Sequence, residues 1–142
     1  MSFETELATE IGVIKKNVGD GVRLVADEIF VNLCNNSPTP GFAPFSLGSY
    51  VLSHRINGGS ADTSITEITN ENRNAIGEAM SNELPKLDYI SPFQTIVISN
   101  SIDYNENIEY LGWSTGTGPY HTFKKTEGTM ENIAQQAMDR II

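Results

Sequence analysis

Residues 3 to 35 read FETELATEIGVIKKNVGDGVRLVADEIFVNLCN, and the spacing of their apolar side chains decides the fold. Leu7, Ile11, Ile14, Val18, Val22, Val25, Ile29 and Leu33 follow one another at steps of three or four residues. A half-buried strand would alternate at every second residue, whereas these steps place all eight side chains on one stripe of an α-helix. The spacing predicts a helix from about Phe3 to Asn35, with Glu4, Glu6 and Glu10 near its positive end, where negative charge is favoured. Gly12, Gly19 and Gly21 are weak helix formers, each costing up to about 1 kcal/mol relative to alanine. Around Gly19-Asp20-Gly21 two readings stand: a kink or break, and close approach to a neighbouring element. Cys34, on the last turn, reads as a small buried apolar side chain. A helix this long and one-sided needs a sheet or a partner to cover its stripe.

Asn35-Asn36-Ser37-Pro38-Thr39-Pro40-Gly41 ends the helix, because proline cannot continue it and pushes the preceding residue into extended geometry. Phe42 and Phe45 follow in the same loop. Alternation from Tyr50 to Ile56 predicts a strand, closed by the turn Asn57-Gly58-Gly59-Ser60. Residues 64–69 read as a weak strand or extended segment. A shorter helix is expected over Asn72 to Leu87, with Asn70 as a cap and Pro85 ending its regular part. Thr95 to Asn100 is β-branched and short, the clearest strand. Tyr104 to Leu111 opens with a possible helical turn, Gly112 to Pro119 is a loop, and Gly128 to Ile142 is the last helix. Helices and strands mix without regular alternation. The expected class is α+β, with a long N-terminal helix and shorter helices packed on a small antiparallel or mixed sheet.

The chain has 142 residues and a formal net charge of −9. This length fits a single domain, 1–142, with a core large enough to fold without disulfides or structural metal. One cysteine excludes an internal disulfide and any cysteine-based metal cage. The acid excess argues against a free-standing nucleic-acid binder, and Lys15-Lys16 and Lys124-Lys125 are the only adjacent basic pairs. No apolar run approaches the ~20 residues of a membrane span, and the acidic start lacks the features of a signal peptide, so a soluble protein made in the cytoplasm is expected.

Candidate chemistry is sparse, and neither catalytic, cofactor nor metal residues are assigned. His54 lies among apolar positions and reads as structural, as does His121 after Pro119-Tyr120. Two histidines without a cysteine pair fall short of a zinc site. Thr115-Gly116-Thr117-Gly118-Pro119 lacks the lysine, hydroxyl and following helix of a phosphate loop. Gly48-Ser49-Tyr50 lacks the second glycine of a nucleophile elbow. Glu106 and Glu109 read as solvated or inter-subunit carboxylates rather than an acid–base pair.

In its order of elements and two marked turns, the sequence resembles the neck and tail-completion proteins of tailed bacteriophages. That family opens with a long helix ending in a Ser/Thr-Pro turn, matched here by Ser37-Pro38-Thr39-Pro40-Gly41, with Ser49-Tyr50 opening the strand that follows. Its second mark is a strand ending in Ser/Thr-Asn, then Pro-Tyr and Glu-Tyr-Gly. The matching residues are Ser99-Asn100, Asp103-Tyr104 and Glu109-Tyr110-Leu111-Gly112, with Gly118-Pro119-Tyr120 in the loop beyond and a closing helix.

The resemblance implies a non-enzymatic virion protein, assembled in the host cytoplasm and placed in the neck or tail. It would form a ring, a hexamer in preference to a dodecamer, between portal or adaptor and tail proteins. Genomic DNA would pass through the lumen without sequence-specific binding, no membrane being involved. Interface residues are then expected in the two loops: Pro38, Pro40, Phe42 and Phe45 in the first, Glu109, Tyr110, Trp113 and Tyr120 in the second, since aromatics are enriched in interface cores. Both halves of the chain are acidic, and acidic side chains facing a lumen would let DNA slide rather than stick. The alternatives are an adaptor that binds another protein without forming a ring, and a small α+β hydrolase using His54 or His121.

Overall fold

The computed structural model describes residues 2–37, 48–68, 72–91, 93–102, 108 and 121–141. Helix α1 spans Phe3–Asn35. Ser2 caps it, its hydroxyl accepting from Thr5 N–H at 3.3 Å. The helix runs without a break through Gly19 and Gly21. Open space surrounds the position where a Cβ would project from Gly12. The expected break is absent, and Gly19 and Gly21 are buried within the helix, whereas Gly12 is exposed, so Gly12→Ala is expected to raise the melting temperature by stabilising the helix by up to about 1 kcal/mol. Thermal unfolding followed by circular dichroism checks this.

The chain then forms a four-residue helix α2, Ser49–Leu52, and strand β1, His54–Gly58. The expectation of a strand from Tyr50 is corrected here. Tyr50, Val51 and Leu52 are all buried, so no in–out alternation operates, and Gly48 at φ 94° turns the chain into a helical turn. The weak strand expected over 64–69 is also absent among the described residues. Its amides bond to serine side chains instead of a strand: Thr66 N–H donates to Ser53 Oγ at 3.0 Å and Ile68 N–H to Ser49 Oγ at 3.0 Å. Arg55 adds bonds to Ser64 Oγ and Thr66 Oγ1.

Helix α3 covers Ala75–Glu83 and passes into a 3₁₀ turn, Leu84–Tyr89, where proline had been expected to end the regular helix. Asn74 occupies the N-cap position without a side-chain cap bond, and the expected cap Asn70 lies outside the described residues. Strand β2, Ile96–Asn100, pairs antiparallel with β1. His54 sits opposite Asn100, Ile56 opposite Ile98 and Gly58 opposite Ile96.

The last helix, α4, runs from Thr122 to Ile141, starting six residues before the expected Gly128. Glycine was read as a boundary, but Gly128 faces open space and is tolerated inside the helix. The expected helical turn after Tyr104 and the loop after Gly112 lie outside the described residues, except for Ile108, which is fully buried.

The architecture is α+β: a long N-terminal helix and shorter helices packed against a two-stranded antiparallel sheet. Among the described residues, Phe30, Leu33, Tyr50, Val51, Ile56 and Ile108 are the largest fully buried apolar side chains. Helix α4 begins beside the end of α1, where Thr122 Oγ1 bonds to Asn36 O and Asn36 Nδ2 to Thr126 Oγ1. From there it runs back along α1, making the most extensive helix pairing among the described residues. Arg23, on another face of α1, donates to the carbonyls of Leu87 and Ile90 and so ties the 3₁₀ turn to the long helix.

Candidate interaction site

Among the described residues, the cluster around His54 has the residue types of catalysis, and it is closed. His54, at the start of β1, is fully buried among the rings of Tyr50, Phe123 and Phe30, all met edge-on at centroid distances of 4.9, 5.9 and 6.2 Å. Ser37 donates its hydroxyl proton to Leu33 O at 2.7 Å, so its oxygen accepts from His54 Nε2–H, also at 2.7 Å. On the other side, Asn100 Nδ2 donates to His54 Nδ1 at 3.1 Å and to Tyr50 O at 2.8 Å, while its Oδ1 accepts from Ile102 N–H. One neutral tautomer satisfies every bond in this chain. Protonating Nδ1 would set an N–H against the Asn100 amide. Burial, and next the positive charge of Arg55, push the imidazole down to about 3. The ring joins α1, α2, β1 and β2, the structural role expected of it.

A second buried polar group closes the outer edge of the sheet. Ile56 N–H points away from β2 and donates to Glu83 Oε1 at 2.9 Å, and both Glu83 oxygens accept from Lys86 Nζ. Burial, with the nearby Glu83 charge adding to it, pushes the Cys34 thiol up to about 12. Cys34 is therefore an inert core side chain, as its place on the helix suggested. His121 stands at the entry to α4 with φ 55°, its N–H bonded to Ile108 O. Its buried Nδ1 finds no partner among the described residues. Among the described residues no group of three or more His, Cys, Asp or Glu is placed to hold a metal ion. No helix among them is long and apolar enough to cross a membrane.

The open surface is apolar. Between α1, β2 and α4 lies a groove of about 770 Å³, lined by Val22, Val25 and Ile29 from α1, Ile96 and Ile98 from β2, and Met130 from α4. Towards the N-terminus of α1 the same stripe continues with nothing over it among the described residues. Val18 is 43% exposed, Ile14 61%, Ile11 44% and Leu7 44%. The stripe read from the sequence is thus divided. Its C-terminal half faces the chain's own sheet and α4, and its N-terminal half faces outward. The boundary follows from length, because the 20 residues of α4 cannot cover the 33 of α1.

The eight loop residues expected at interfaces, Pro38, Pro40, Phe42, Phe45, Glu109, Tyr110, Trp113 and Tyr120, lie outside the described residues. The surface that the structure does describe was named in the sequence only as a stripe needing cover. Ser37 and Asn100 were read only as marks of the resemblance and not as partners of His54, and Glu83 was not singled out at all. Asn100, a polar residue closing an apolar strand opposite a histidine, was the available signal. Glu83 gave none.

Compared with known proteins, the chain matches no family model, no curated protein and no solved structure.

Proposed function

We propose that the chain is a structural assembly subunit of a tailed bacteriophage, forming a ring in the neck that completes the tail or joins it to the portal connector. The observation that carries the assembly role is the uncovered half of α1. Four apolar side chains stand in one exposed row that continues the core stripe of the same helix. Such a row is stabilised when another surface removes it from water, at roughly 25 cal/mol per Å² of apolar area. A heterologous contact repeated by rotation closes into a ring.

The place in a phage neck rests on the resemblance of the two marked turns and of the element order. The buried, neutral His54 supports a scaffold rather than a general base. The net charge of −9 suits a ring through which DNA slides.

Electron microscopy of the purified chain, alone and with portal and tail proteins, tests this reading. A closed ring of six or twelve copies is expected. Capture by a tail protein without a ring would replace it with the adaptor reading. A monomer without affinity for portal or tail proteins would contradict it.

A further inference from the structure

We infer that the N-terminal halves of α1 from two copies of this chain pack side by side in parallel, through the seam Leu7, Ile11, Ile14 and Val18. This deepens the assembly reading above and rests on it, since it names the contact between copies. The exposed row contains two interleaved pairs seven residues apart, Leu7 with Ile14 and Ile11 with Val18. That is the a/d pattern of a coiled-coil seam, with Ile11 and Val18 at a and Leu7 and Ile14 at d. Glu10 then falls at g and Lys15 at the e position of the next heptad.

These two charges fix the direction. In a parallel pair, a g residue lies beside the e residue five positions later in its neighbour. Glu10 of each copy therefore meets Lys15 of the other. In the antiparallel pair that buries the same seam, Leu7 lies opposite Val18, so g meets g as Glu10 beside Asn17 and e meets e as Lys15 beside Ala8, and neither charge gains a partner. The flanking g and e positions nearer the ends are Asn17 and Ala8, which carry no charge. Glu10 and Lys15 are both exposed, and neither makes an ion pair among the described residues, whereas Lys16 is held by Asp20 at 2.9 Å. Gly12 points away from the seam at b, consistent with the open space around it. The occupant of the uncovered face is therefore a second copy, with its helix running the same way.

A pair in which each seam residue meets its own counterpart has a two-fold axis along the helices, so this contact pairs copies, and a ring of six or twelve needs a second, heterologous contact. The seam spans only two heptads, shorter than a stable isolated coiled coil needs. It contributes to an assembly rather than making one alone.

Disulfide trapping on the full chain under mild oxidation tests the direction. Buried Cys34, its thiol held far above the pH used, does not compete. Leu7→Cys is expected to cross-link to itself, as is Val18→Cys, with no excess of mixed product when the two are combined. Charge reversal supplies the second arm. Glu10→Lys or Lys15→Glu alone should weaken self-association about tenfold at low salt, and the double reversal should restore it.

Mixed Leu7→Cys to Val18→Cys products in place of self cross-links would overturn the parallel arrangement while leaving self-assembly standing. An assembly that forms without any of these cross-links, and is indifferent to both charge reversals, would show that the copies meet elsewhere. A chain that stays monomeric in every experiment, with or without portal and tail proteins, overturns this inference together with the assembly reading.

Discussion

His54→Ala is expected to destabilise the fold by about 3–5 kcal/mol, a large part of the margin by which a domain of this size is stable. The substitution opens a void among Phe30, Tyr50 and Phe123, and it also strands the groups that the ring satisfies. One Asn100 amide proton loses its acceptor and Ser37 Oγ loses its donor, in a site without water access. His54→Phe keeps the volume and still strands both partners, so it should cost about 2 kcal/mol. Urea unfolding of the two variants beside the wild type separates packing from hydrogen bonding.

The same ring gives stability a definite pH dependence. In the unfolded chain the imidazole takes a proton near 6.5, and in the folded chain only near 3. Between those values the unfolded state binds a proton that the folded state refuses, so stability falls as pH falls. The contribution is fully present above pH 6.5 and is lost progressively down to about pH 3, amounting to about 5 kcal/mol over the whole window. His54→Phe should show a correspondingly shallower loss between pH 6.5 and 4.5. Imidazole NMR should show one ring that remains neutral, with its proton on Nε2, at pH 4.5. His54 itself titrating near 6.5 in the folded protein would contradict the closed network.

The second large effect concerns assembly. The double substitution Ile11→Asp and Ile14→Asp is expected to abolish self-association, lowering affinity more than a hundredfold, while melting cooperatively near the wild-type temperature. Both side chains stand in the exposed row and touch none of the core, so the folded monomer loses little. In the assembled state each would place a carboxylate against apolar neighbours without a partner, at a cost of several kcal/mol. Sedimentation at several concentrations, paired with circular dichroism, reads both quantities. Wild-type assembly by the double variant would remove the seam from the interface.

Helix α1 was legible from one end to the other because its signal is redundant. Eight apolar positions agree on one period, and three glycines do not outweigh them. Strand β2 was equally plain, being β-branched and bounded by polar residues. The stretch from Ser49 to Leu52 was misread because its side chains are buried on every side, and a short, fully buried run carries no periodicity to separate helix from strand. The segment around Thr66 has strand-like residues, but its bonds are set by Ser49 and Ser53, distant in sequence from the amides they accept.

The interaction surface shows the same division. Sequence identifies Leu7, Ile11, Ile14 and Val18 as one row, and it also gives the 4-3-4 spacing and the charges beside it. It does not say where α4 stops covering α1, because that depends on how two distant helices pack. The expected loop surface, from Pro38 to Phe45 and from Glu109 to Tyr120, lies outside the described residues and stays an expectation.

Amide hydrogen exchange across α1 at increasing concentration tests most directly whether this helix carries the assembly contact. In the dilute chain, the amides of residues 7–18 should exchange much faster than those of residues 25–34, which back onto the core. In the assembled state, reached by concentration or by adding portal and tail proteins, residues 7–18 should gain protection while residues 25–34 change little. An assembled species in which residues 7–18 exchange as fast as in the dilute chain would contradict the account.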